Sequence, residues 1–165
     1  MRRPFYTLLI IGVTLVVSLL SSCQDTQVYD RYTHTPIAGW EKNDTLVFDI
    51  PPLAASGYYQ EQLGLRITGA YPFMGLTLIV EQTIYPDKKK KWEKTEKVDT
   101  IQCNLIDENG STCGQGISYY QYSFPINIYH MSEQDYIHVT IRHDMKREIL
   151  PGISDIGLKL NRVKE

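Results

Sequence analysis

The chain has 165 residues, with 17 Lys and Arg against 19 Asp and Glu and a formal net charge of −2. That balance excludes nucleic-acid binding as the main task, which needs a basic patch or stripe. Twelve tyrosines, with Thr, Ile and Val, lean the composition toward strand, and no segment has the low apolar content of a disordered chain.

The first stretch is a targeting signal. Arg2 and Arg3 open it, residues 4–24 carry no charge, and residues 5–20 (FYTLLIIGVTLVVSLL) are almost wholly apolar. Leu20-Ser21-Ser22-Cys23 follows. A basic start, an apolar run and small residues before a cleavage point make a secretory signal. A Cys directly after Leu-Ser-Ser resembles the bacterial lipobox, in which the thiol receives a diacylglycerol and the Cys becomes the mature N-terminus. The competing reading is a transmembrane helix, but 16 residues are short for about 30 Å of hydrocarbon. The expected organisation is a signal peptide over 1–22, a lipid anchor at Cys23, a polar tether over 23–35 and one β domain over 36–165. Cleavage leaves 143 residues, enough for a core, with a net charge near −4.

Beyond the tether, which leads into a short segment at 27–32, Trp40 precedes the first clear strand and reads as a core or cap residue. Leu46, Phe48 and Ile50 alternate with Val47 and Asp49, and Pro51-Pro52 ends that strand. Over 62–68, Leu63, Leu65 and Ile67 face one way and Gln62, Gly64, Arg66 and Thr68 the other. Gly69-Ala70-Tyr71-Pro72 is a turn. Over 76–85, Leu76, Leu78, Val80 and Ile84 share a face, with Ile79 opposite. Over 92–105, Ile101, Cys103 and Leu105 alternate with polar residues, and Val98 falls out of phase, which suggests a bulge. Tyr120, Tyr122, Phe124 and Ile126 share a face over 118–126, as do Ile137, Val139 and Ile141 over 136–143. Ile156, Leu158 and Leu160 close the chain over 154–161, where Gly157 offers close backbone approach or a bulge. These are seven strands and one or two more, and the mature chain sustains no 3.6-residue apolar period. The pattern predicts an all-β, antiparallel, jelly-roll-like sandwich in a single domain, with a closed barrel as the alternative.

Chemistry-bearing patterns are sparse. The sequence has no G-x-S-x-G, no H-E-x-x-H, no P-loop and no dinucleotide fingerprint. It therefore predicts no catalytic residues, no metal site and no cofactor. His138 and His143 lie five apart on a strand and point to opposite faces; His34 and His130 fall in loops. All four read as surface or capping residues. Asp49, Glu61 and Glu81 fall on strands and read as solvated acids rather than the carboxylate pair of a glycosidase. The lysines at 88–91 read as a solvated tip, with an anionic surface as the alternative. Cys103 and Cys113 flank the turn signal Asp107-Glu108-Asn109-Gly110. A hairpin there allows a disulfide, and a buried free Cys103 is the alternative. Tyr58, Tyr59 and Tyr119 are candidates for a glycan-binding aromatic surface, and the outward Ile79 and Tyr85 for contact with a protein partner.

Several stretches together point to a family. They are Val28-Tyr29-Asp30-Arg31-Tyr32 after the lipobox, Trp40, Leu46-Val47-Phe48-Asp49-Ile50, Tyr71-Pro72-Phe73-Met74-Gly75-Leu76, and the ending Leu150-Pro151-Gly152-Ile153-Ser154-Asp155-Ile156-Gly157-Leu158. The sequence resembles the GldH-type gliding-motility lipoproteins of Bacteroidetes over nearly the whole mature chain. The resemblance implies a membrane-anchored accessory lipoprotein of the gliding machinery, tied to a dedicated secretion system. It implies envelope-protein partners, attachment to the outer rather than the inner membrane, and no catalytic residues. Only the lipidated Cys carries over, onto Cys23. A glycan-binding envelope module is the second functional reading.

Overall fold

The computed structural model describes residues 26–87 and 93–163. Among them there is no helix, and the alternation in the sequence becomes ten strands: β1 (Gln27–His34), β2 (Trp40–Glu41), β3 (Leu46–Ile50), β4 (Gly57–Thr68), β5 (Gly75–Tyr85), β6 (Thr95–Asn104), β7 (Tyr119–Met131), β8 (Tyr136–His143), β9 (Ile149–Leu150) and β10 (Ile153–Arg162). The eight long strands make two four-stranded sheets, ordered β1-β10-β4-β7 and β3-β8-β5-β6, and β2 pairs with β9. Every pairing is antiparallel. Only β5 and β6 form a hairpin within one sheet; each other step between long strands crosses sheets. That is the jelly-roll wrapping of a single all-β domain.

Period-2 burial explains why these segments are strands. On β8, Ile137, Val139, Ile141 and His143 are buried, and the residues between them are not. Leu63, Leu65, Leu158 and Leu160 of one sheet and Leu78, Val80, Val139 and Ile141 of the other lie in one core. Each such side chain contributes about 1.5–3 kcal/mol on burial.

Four details differ from the sequence reading. The stretch expected as tether is sheet: β1 pairs with β10 along its length, and the Thr35 hydroxyl donates to the Ile153 carbonyl at 2.6 Å. β4 starts at Gly57 rather than Gln62, which places Tyr59 and Glu61 in phase with Leu63. Val98 is out of phase because it lies on the outer face, and the β5–β6 ladder runs through it without a bulge. A bulge lies instead in β7: Gln62 pairs with Pro125 and Glu61 with Asn127, so the strand's parity flips and Tyr129 turns inward. The register also shifts between Gln27 and Tyr29 of β1 and between Ile153 and Asp155 of β10. Gly157 does serve close approach. A Cβ there would sit 2.5 Å from the ring of Tyr32, and one on its cross-strand neighbour Gly64 would sit 2.5 Å from the Tyr32 hydroxyl and 2.8 Å from the ring.

Candidate functional site

The most unusual chemistry is inside the sandwich. Glu61 of β4 is fully buried and faces Gln82 of β5, which is 1 % exposed. Gln82 Nε2 donates to Glu61 Oε2 at 2.7 Å. The Tyr129 hydroxyl, brought inward by the bulge, lies 3.2 Å from Glu61 Oε2 and 3.2 Å from Gln82 Oε1. Glu61 Oε1 has no hydrogen-bond partner. On the neighbouring edge strand β6, Lys97 Nζ stands 4.5 Å from the centroid of the Tyr129 ring.

Burial pushes the Glu61 carboxyl up to about 7; hydrogen bonds from Tyr129 and Gln82 pull it back, Asp99 raises it and Lys97 lowers it. The Tyr129 hydroxyl is raised by burial and by the Glu61 charge. The cluster can hold a proton near neutrality and ties the two sheets together. Beside it opens a groove of about 430 Å³ lined by Lys97, Tyr129, His130 and Ile84. The expectation that Glu61 is a solvated acid is therefore corrected. The available signal was parity: Glu61 falls in phase with Leu63, Leu65 and Ile67, and Gln82 with Leu78 and Val80.

His143 is a second buried polar group and not the surface histidine expected. Its Nε2 lies 3.2 Å from the Trp40 carbonyl, its ring meets Trp40 edge-on at 5.2 Å, and burial lowers its pKa. Trp40 is core, as read, and its indole donates to the Asp44 carbonyl at 3.0 Å. The remaining histidines are at the surface: His138 pairs with Asp49 at 2.7 Å, His34 pairs with Asp155, and His130 meets Tyr58 edge-on at 5.3 Å. Among the described residues, no group of three or more His, Cys, Asp or Glu side chains is placed to hold a metal ion.

The other candidate residues separate. Tyr59 is buried at 1 % and donates to the Ala55 carbonyl at 2.6 Å, so it is not a surface contact. Tyr58 and Tyr119 are exposed, but Tyr58 pairs with His130 at one end of the β4–β7 ladder and Tyr119 with Thr68 at the other. At about 3.3 Å per residue they stand roughly 33 Å apart, so the three tyrosines form no common platform. Ile79 is half-buried on the outer face, and Tyr85 stacks on Tyr136 at 4.6 Å.

Among the described residues the two cysteines are free, Cys103 buried and Cys113 exposed. The hairpin register decides this: the Cys113 amide donates to the Leu105 carbonyl at 2.9 Å, so Cys113 stands against Leu105 and not Cys103. The disulfide reading is corrected, and burial pushes the Cys103 thiol up to about 12. Cys23 and the lysines at 88–91 lie outside the described residues.

The model of the GldH lipoprotein family matches residues 27–160. The chain belongs to that family. It is 27 % identical over 162 residues to the gliding motility lipoprotein GldH of Flavobacterium johnsoniae, covering 92 % of this chain and 95 % of the relative. It is 24 % identical to the GldH homologue of Christiangramia forsetii, covering 98 % of each. A crystal structure of a protein from Sulfurospirillum deleyianum superposes with a TM-score of 0.50 at 9 % identity, over 83 % of this chain and 99 % of that one, a likeness of fold alone. The match to the GldH family begins at Gln27, where β1 begins.

Two of the stretches that carry the family resemblance, residues 71–76 and 150–158, touch in space. The Thr68 amide donates to the Gly152 carbonyl at 2.8 Å. A Cβ on Gly152, whose φ is +80°, would lie 2.3 Å from the Tyr71 nitrogen. Tyr71 is itself fixed by donating to the Gly75 carbonyl at 2.8 Å and by meeting Phe73 edge-on at 5.6 Å. Only glycine fits where these turns back onto each other.

Proposed function

We propose that this GldH-family chain is a non-enzymatic interaction component of the gliding machinery and its associated secretion apparatus, lipid-anchored through Cys23 to an envelope membrane, the outer one in preference. The observation that carries this is the match to relatives named for gliding motility over nearly the full length of both chains. The lipobox at Leu20-Ser21-Ser22-Cys23 supports the anchor.

One end of the sandwich supports the interaction role. The turns joining β1 to β2, β4 to β5, β6 to β7 and β8 to β10 gather there. They expose Ile37 at 106 %, Ile117 at 92 % and Met74 at 56 %, together with Tyr119 and Ile149. Apolar side chains this exposed on loop tips suit a protein partner better than water.

The test is crosslinking and affinity purification from native envelopes of a gliding host. Recovery of gliding or secretion components is expected, with Ile37→Ser and Ile117→Ser lowering that recovery while leaving the fold intact. Isolation of the chain as a lone monomer overturns the reading. Cys23→Ala should release the domain from the membrane fraction and abolish its function.

A further inference from the structure

We infer that the domain stands on its membrane with one defined end down: the lipid headgroup layer lies against the end formed by the 51–56 turn, Tyr58, Tyr136 and Val163. This rests on Cys23 as the lipid anchor and goes beyond it by assigning the surface that meets the bilayer.

The first argument is length. The Arg162 amide donates to the Thr26 carbonyl at 2.7 Å, and the Val163 amide to the Tyr58 carbonyl at 2.8 Å. Position 26 is therefore pinned to the end of β10. Cys23 is three residues upstream, and three residues span at most about 10 Å. From the same end β10 runs ten residues, about 33 Å at 3.3 Å per residue. The leash is roughly a third of the domain's length. The pinned end therefore cannot rise more than about 10 Å from the layer that holds the lipid, so the domain cannot invert onto the end carrying Tyr71, Gly152 and Cys113. That it stands on the pinned end rather than lying along the layer rests on the chemistry of that end.

The second argument is chemistry. The 51–56 turn exposes Pro51, Pro52 and Ala54. Tyr58 is 50 % exposed and Tyr136 38 % exposed. An apolar ring with a polar tip suits the headgroup level of a bilayer. The described charges at this end include both Arg162 and Lys94 and the acids Glu93 and Glu133. The contact is with the headgroup layer as such.

The native thiols provide the test. Full-length lipidated protein is reconstituted in phosphatidylethanolamine vesicles that carry a headgroup nitroxide. A fluorescent maleimide on the exposed Cys113 reports the far end. The same probe on Val163→Cys, in a Cys113→Ser background, reports the near end. The expected result is quenching several-fold stronger at 163 than at 113. Equal quenching, or stronger quenching at 113, in protein that floats with the vesicles overturns the orientation alone. Protein that does not float overturns the anchor itself, and the orientation with it.

Discussion

Gln82 Nε2 donates to Glu61 Oε2 at 2.7 Å across the interior, joining β5 of one sheet to β4 of the other. The folded carboxyl titrates at about 7, above its ordinary 4.5, so over that interval the folded chain keeps a proton that the unfolded chain has released. The stability tied to this group is full below about pH 4.5 and is lost as pH rises through about 7. The loss is on the order of 3 kcal/mol. In urea titrations the unfolding midpoint should fall over that window. Glu61→Gln, which cannot ionise, should remove most of the fall; an equal fall in the variant would assign the titration to another group.

His143 should act with the opposite sign. Its pKa is lowered by burial, so its stabilising neutral form is present above the ordinary 6.5 and is lost as pH falls below it. His143→Phe should flatten the acid limb of the stability curve. It should also cost about 1–3 kcal/mol at neutral pH, because the Trp40 carbonyl loses its donor. Thermal unfolding across pH reads both effects, and an unchanged acid limb would count against the assignment.

Tyr32 should be locked by glycine. Its ring lies over Gly157 and Gly64, and the Arg66 guanidinium carbon stands 4.1 Å from its centroid. Gly157→Ala should destabilise by about 1–3 kcal/mol, the usual cost of overpacking. Because the clash is with a side chain, the same substitution in a Tyr32→Ala background should cost much less. A double-mutant cycle with no coupling between 32 and 157 would contradict this packing.

The two thiols should differ sharply. In a Cys23→Ala chain, a thiol reagent should modify Cys113 in the folded state and reach Cys103 only on unfolding, since Cys103 is buried and its pKa is held at about 12. Loss of both thiols to oxidation without unfolding would contradict the register that sets Cys113 against Leu105.

Strand positions were legible because each sheet has one packed face. Alternation at Leu63, Leu65 and Ile67, and at Ile137, Val139 and Ile141, marks β4 and β8 directly. The family was legible for a related reason: Tyr71-Pro72-Phe73 and Pro151-Gly152 encode turns that must fit one another, and such turns tolerate few residues. The polar cluster was harder to read. Glu61 and Gln82 share the parity of core residues, yet an acid on a strand is solvated more often than buried, and one strand carries no sign of its partner on the facing sheet.

The sequence by itself determined the local periodicity, the turn chemistry, the lipobox and the GldH-type pattern, since each depends on residues near one another along the chain. Only the tertiary structure decided which polar groups are inside, that Cys113 stands against Leu105 and not Cys103, and that Tyr58 and Tyr119 stand at opposite ends of one ladder. The physical reason is register. A single bulge in β7 reverses the facing of every residue after it and brings Tyr129 to Glu61, and a shift of two positions separates Cys113 from Cys103. Such offsets are set by packing between strands far apart in sequence.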